Sequence, residues 1–186
     1  MYSLYQRANL ISAFALSVLS VVLALVALTG LQVERPVFSI DVKDVDIVYG
    51  RARYHADRRI QSYLETTFDL DMDLEPLFNW NTKQVFLSLT ASYKSPKRGT
   101  NDVVIWDKIV RPTDQTSMIL HDVHHKYGLR EYTKSFANIT SMDFRLEYNV
   151  MPYVGFLQRG VTLRSAPITF EESPTLKSSK VKLMPY

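Results

Sequence analysis

His121, His124 and His125 are the side chains in this sequence that come nearest to a metal site. In an H-x-x-H-H order on a helix, His121 would lie beside both others, and imidazoles at that spacing bind zinc. No carboxylate is placed as a third ligand, since Asp122 would point elsewhere, so a solvated, partly positive turn explains the cluster more simply. No metal or cofactor is therefore expected. Asp69, Asp71 and Asp73 resemble a calcium motif in spacing, but lack the glycine and later glutamate of an EF-hand loop. Two Ser–Lys neighbours, Ser92 with Lys94 and Ser95 with Lys97, sit in or beside a charged turn, and no G-x-S-x-G elbow occurs. With no recognisable nucleophile–base pair, the chain is expected to be non-catalytic. Asn138-Ile139-Thr140 is the one N-glycosylation sequon, in a polar stretch where a glycan at Asn138 would face solvent.

The elements that carry these residues fall into two parts. From Ala8 to Val33 no residue is charged. The span 10–31, at about 1.5 Å per residue, crosses the roughly 30 Å of a bilayer's hydrocarbon layer. It exceeds the apolar core of a cleaved signal peptide and reads as an uncleaved signal anchor. Arg7 and the α-amino group precede it while Glu34 and Arg35 cancel after it, which places residues 1–9 in the cytosol and 32–186 across the membrane. Ala13, Ser17, Ser20, Ala24 and Ala27 repeat every three or four residues along one helix face. Such a stripe of small residues lets a partner helix approach closely, or it reflects only the composition of membrane spans.

Beyond the anchor the period is two. Phe68, Leu70, Met72 and Leu74 alternate with the three aspartates, and Met142, Phe144, Leu146, Tyr148 and Val150 alternate with polar residues. Strands of this kind belong to antiparallel sheets with one face on a core. Val85–Tyr93 and Val103–Val110 are apolar on both faces in part and read as central strands; further strands are expected at Val37–Tyr49 and Val161–Phe170. Turns are marked at Ser95-Pro96-Lys97-Arg98-Gly99 and Arg111-Pro112-Thr113-Asp114. Met118–Tyr127 is expected to be a short helix or turn, and the tail from about residue 173 to be loosely held. The expected architecture is thus a single N-terminal transmembrane α-helix followed by an all-β domain, an antiparallel β-sandwich of about six strands.

Composition narrows the function. Among 186 residues, 22 basic side chains are interspersed with 19 acidic ones, so no nucleic-acid partner is expected. The absence of cysteine excludes disulfides, cysteine-ligated zinc and thiol catalysis.

Two stretches are more distinctive. Leu77-Phe78-Asn79-Trp80-Asn81-Thr82-Lys83-Gln84-Val85-Phe86-Leu87, continuing through Leu89-Thr90-Ala91-Ser92-Tyr93, and Val103-Val104-Ile105-Trp106-Asp107-Lys108-Ile109-Val110 resemble signature segments of the third, glycosylated subunit of the eukaryotic signal peptidase complex. The order of parts is similar too: Arg7-Ala8-Asn9, the anchor, both tryptophan segments, the sequon, then Asn149-Val150-x-Pro152. Members often carry Trp before that Asn-Val pair, where this chain has Tyr148. The resemblance implies a non-catalytic accessory subunit of the endoplasmic reticulum membrane, single-pass type II with its C-terminal domain in the lumen. Its partners would be the catalytic serine endopeptidase subunit, the other small membrane subunits and membrane lipid. Phe78, Asn79, Trp80, Asn81, Gln84 and Trp106 become the candidate subunit interface, with core packing the competing account of both tryptophans. An independent membrane-anchored lumenal or cell-surface β-sandwich binding module would share the anchor, strands and sequon. It would not be expected to share both tryptophan segments.

Overall fold

The computed structural model describes residues 3–30, 36–50, 61–131, 136, 139–165 and 167–169. It begins with one helix, α1 (Leu4–Thr29). Ser3 caps it: its hydroxyl accepts from the Gln6 N–H while the Gln6 side chain accepts from the Ser3 N–H, a reciprocal capping box that satisfies two free backbone donors. Within α1 the hydroxyls of Ser17, Ser20 and Thr29 donate to the carbonyls of Ala13, Leu16 and Val26, so none needs an outside partner in an apolar medium. The helix is long and apolar enough to cross a membrane and is exposed along nearly its whole length.

Eight strands follow among the described residues: β1 (Val37–Gly50), β2 (Gln61–Asp73), β3 (Thr82–Ser95), β4 (Gly99–Val110), β5 (Ser117–His124), β6 (Ser141–Pro152), β7 (Gln158–Arg164) and β8 (Ile168–Thr169). All pairings are antiparallel. One sheet has the order β1-β2-β5, the other β4-β3-β6-β7, with β8 pairing beside β6. The alternating residues behave as their period demands. Phe68, Leu70 and Met72 of β2 and Met142, Phe144 and Leu146 of β6 turn into one core, joined by Val85, Leu87 and Leu89 of β3. Contacts between the sheets close it: Phe68 of β2 meets Trp106 of β4 edge-on at 5.6 Å between ring centroids, and Phe38 of β1 lies 6.0 Å from Tyr148 of β6.

Three expectations are corrected. β4 is an edge strand, not a central one. Its two-sided apolar pattern comes from a bulge, where Trp106 pairs with Leu89 and Val104 with Thr90, leaving Ile105 as the extra residue. Ile105 and Trp106 are consequently both buried although adjacent, and Val104 and Ile109 are exposed. The segment expected to be a helix or turn, Met118–Tyr127, is mostly strand β5. Asp122, at φ 50°, forms a bulge in it that spaces the half-buried Leu120 and Val123 three apart, as a helix would. The single strand expected at Val161–Phe170 is divided between β7 and β8, and this division together with β5 gives eight strands among the described residues where about six were expected. β3 begins at Thr82, so Phe78 and Trp80 precede it: a 3-10 turn occupies Glu75–Leu77, and residues 78–81 form the approach to the strand. Both marked turns are present, the first closing at Gly99 with φ 73°, the second by Asp114 N–H donating to the Arg111 carbonyl at 3.0 Å. The tail from 173 lies outside the described residues.

Candidate membrane and subunit interface

Where α1 ends, two loops of the β domain meet it. One precedes β3 and carries Asn79-Trp80-Asn81; the other joins β6 to β7 and carries Tyr153-Val154-Gly155-Phe156-Leu157. Asn81, only 2% exposed, ties them together. Its side-chain amide donates to the Val154 carbonyl at 2.7 Å, its side-chain oxygen accepts from the Val154 N–H at 3.1 Å, and its own carbonyl accepts from the Tyr153 N–H at 2.8 Å. Asn79 supports the hook from below by accepting the Asn81 N–H at 2.9 Å. The hydroxyl of Thr82 donates to the Leu77 carbonyl at 2.9 Å and anchors the turn to the 3-10 segment.

The same two loops grip the helix. Gly155, at φ 123°, adopts a backbone conformation open to glycine, and a Cβ placed there would lie 3.3 Å from both Cα and Cβ of Ala27. A Cβ on Gly30 would lie 3.4 Å from the Asn81 side-chain nitrogen, and the Gln158 side chain donates to the Gly30 carbonyl. Small residues on both sides, Ala27 and Gly155, therefore permit backbone-to-backbone approach, and polar groups at Gly30 lock it. This is a joint between a helix and a sheet domain.

The candidate residues divide accordingly. Trp106 lies in the core at 4% exposure, with Lys126 Nζ 5.8 Å from its ring, so core packing accounts for it. Asn79 and Asn81 spend their polar groups on the joint, and the Gln84 amide faces the Met151 sulfur at 3.2 Å. Phe78 is partly buried against the core. Trp80 is 68% exposed, and Tyr153, Phe156 and Leu157 in the facing loop are exposed as well. The sequence reading missed that second loop, although Tyr153–Leu157 is an uncharged run at the end of a strand. On α1, Ala27 belongs to the joint; Ala13, Ser17, Ser20 and Ala24 remain exposed.

The histidines lie along β5 and the turn after it, not on a helix. His121 Nδ1 is 3.3 Å from Asp69, His125 Nδ1 accepts from the Thr66 N–H at 3.3 Å, and His124 is exposed. Asp69 is drawn into a cluster of its own. Lys43 Nζ stands 2.8 Å away, the Asp122 N–H of the bulge donates to it at 2.9 Å, and these contacts hold its carboxyl down to about 2. The hydroxyls of Ser92 and Ser95 donate to the carboxylates of Asp102 and Glu131. Asn138 lies outside the described residues, between the buried Phe136 and Ile139 in sequence.

A family profile described as signal peptidase subunit matches residues 1–173, which include α1, every described strand and both loops of the joint. The chain belongs to the signal peptidase subunit family. Among curated proteins of that family, signal peptidase complex subunit 3 of Saccharomyces cerevisiae is 32% identical over 179 residues, covering 92% of this chain and 97% of its own length. The subunit 3 of Dictyostelium discoideum is 38% identical over 160 residues, 86% of this chain and 89% of its own. That of Caenorhabditis elegans is 35% identical over 159 residues, 85% and 88% respectively. As a signal peptidase subunit, the chain places its two tryptophan segments in different roles, one in the core and one beside the helix exit. Tyr148, at the position before Asn149-Val150, lies over Gly160 of β7, where any Cβ would collide with its ring.

Proposed function

We propose that this chain is a non-catalytic accessory subunit of the endoplasmic reticulum signal peptidase complex, which holds the catalytic serine endopeptidase subunit at a fixed height and orientation over the membrane. Residues 1–9 face the cytosol, 10–31 span the bilayer, and 32–186 form the lumenal domain with an N-glycan at Asn138. Its partners are the catalytic subunit and the other small membrane subunits. Family membership supports the assembly. The observation that carries the positioning role is the joint, in which Asn81, Gly155 and Gln158 clamp the last turn of α1 at Ala27 and Gly30. A scissile bond emerging from a bilayer must meet its nucleophile in attack geometry, and displacement of about 1 Å can cost on the order of a hundredfold in rate. A subunit with a stiff elbow at the membrane surface supplies that constraint without chemistry of its own.

The test is to loosen the elbow without removing the subunit. Complexes containing Gly155→Val should purify from mild detergent with their full set of subunits, and should cut signal peptides more slowly and at less uniform sites. If rate and cleavage site are unchanged while Gly155→Val measurably frees the helix from the domain, the positioning role is wrong.

A further inference from the structure

Four large apolar side chains crowd the end of the β domain from which α1 emerges. Trp80 is 68% exposed, Tyr153 66%, Phe156 80% and Leu157 57%. They come from the two loops that clamp the helix, and their level is fixed by that clamp. Gly155, beside Phe156, packs on Ala27, and Asn81, beside Trp80, reaches Gly30. Ala27 is in the last turn of α1, still within the uncharged run, so the loops lie at the depth where the apolar span leaves the bilayer. On either side of a hydrocarbon core of about 30 Å, the headgroup layer is only about 5–7 Å thick, roughly one helical turn.

We propose that Trp80, Tyr153, Phe156 and Leu157 form a lipid-contact surface that seats the β domain in the headgroup–acyl boundary of the leaflet where α1 exits. The proposal rests on α1 spanning the membrane and deepens the positioning role given above. Three features select lipid over a protein partner as occupant. The patch is continuous with the membrane-spanning surface of α1. No charge occurs between Tyr153 and Leu157, and a shell of water at that depth would leave Phe156 and Leu157 hydrated for no return. Trp and Tyr, with an apolar body and one polar edge, collect at this boundary, while Phe and Leu reach beneath it. The loop backbones are held by Asn81, so the side chains meet the bilayer already ordered. The joint would then fix the direction of the helix, and the patch would stop the domain from rocking about it.

The probe is the full-length chain in phosphatidylcholine vesicles whose acyl chains carry bromine near the headgroup end. Resistance to carbonate extraction establishes first, and separately, that α1 is inserted; extraction would overturn the membrane-span reading itself. The chain has two tryptophans, and Trp106 is buried in the core, so the difference between wild type and Trp80→Phe isolates Trp80 without disturbing packing. Bromolipid should quench wild type about twice as strongly as Trp80→Phe, as expected for a side chain in the boundary layer. Phe156→Asp with Leu157→Asp should abolish that difference and open Trp80 to aqueous iodide. Equal bromolipid quenching of wild type and Trp80→Phe, with iodide reaching Trp80, would place the patch in water and overturn the proposal. Shielding from both quenchers would mean that a second copy of the chain covers it, and loss of bromolipid quenching only in the assembled complex would assign the patch to a partner subunit; either result also overturns it.

Discussion

Replacing Asn81 by Ala tests whether the amides before β3 belong to the protein's own architecture or to a partner. The side chain makes two hydrogen bonds to one backbone unit, donating to the Val154 carbonyl at 2.7 Å and accepting from the Val154 N–H at 3.1 Å, while 2% exposed. Each such bond contributes about 0.5–1.5 kcal/mol net, and a buried group left unpaired costs about 1–3 kcal/mol. Water reaching one of the freed groups would lower the sum, so Asn81→Ala is expected to destabilise the domain by about 2–4 kcal/mol. For a chain of this size that lowers the melting temperature by roughly 4–16 °C. Circular dichroism melts of the full chain in mild detergent would show it. Asn81→Asp keeps the acceptor for the Val154 N–H but sets a buried carboxylate oxygen against the Val154 carbonyl, so it should destabilise at least as much as Asn81→Ala. Asn79→Ala, which removes the acceptor for the Asn81 N–H at 2.9 Å and for the Thr82 hydroxyl at 3.0 Å, should cost about 1–2 kcal/mol. A shift under about 0.5 kcal/mol for Asn81→Ala would refute the hook, because surface amides free for a partner give changes of that size.

Other outcomes follow from the same geometry. Trp106→Ala should cost about 3–5 kcal/mol as a core truncation, whereas Trp80→Ala should stay within about 0.5 kcal/mol, both read from chemical denaturation. Asp69 is held down to about 2 by Lys43 and the Asp122 N–H, so its contribution to stability is complete above pH 3.8 and is lost as pH falls through about 2. Asp69→Asn should therefore flatten the melting temperature against pH between those values, and a curve parallel to wild type would remove Asp69 from the account. If the β domain is lumenal, sealed microsomes should protect it from protease, and Asn138→Gln should abolish a mobility shift on endoglycosidase treatment. Ser17→Leu, Ser20→Leu and Ala24→Leu together should reduce the subunits recovered in mild detergent if that face of α1 packs on a partner helix, with the β domain's melt unchanged; undiminished recovery would make the stripe composition alone.

Much of the fold was legible because period-two alternation reports which face is buried. Phe68, Leu70 and Met72 are buried as their spacing requires, and the turns at Gly99 and Asp114 fall where Gly and Asp mark them. Two of the misreadings, those of β4 and β5, share one physical source. Bulges shift the period by one residue, and a bulge is chosen by pairing with a distant strand. At Ile105 the bulge makes an edge strand look two-sided, and at Asp122 it gives β5 a helical spacing. Of the joint, only the loop before β3 was legible by residue type, and its roles were not. Asn79, Asn81 and Trp80 stand out by type, yet nothing local reveals that Asn81 bonds Val154, 73 residues along the chain. Gly155 carried no signal at all, because its reason is Ala27 on a different element.

The joint also explains why small residues recur at the end of α1 that meets the domain. A helix attached only by a chain of single bonds would let the domain tilt, and at a distance of about 20 Å a tilt of roughly 3° moves an atom by about 1 Å, the scale on which attack geometry is lost. Stiffness requires contacts at more than one point along the helix. Ala27 against Gly155 and Gly30 against Asn81 and Gln158 are such points, three residues apart and contributed by two separate loops. A larger residue at 27 or 155 would hold the surfaces apart and leave the polar groups at Gly30 to bear the load alone. A contact with lipid through Trp80 and Phe156 would add a third point outside the helix axis, which is what resists rocking. The requirement is for close backbone approach, which the small side chains at these positions, Gly and Ala, allow.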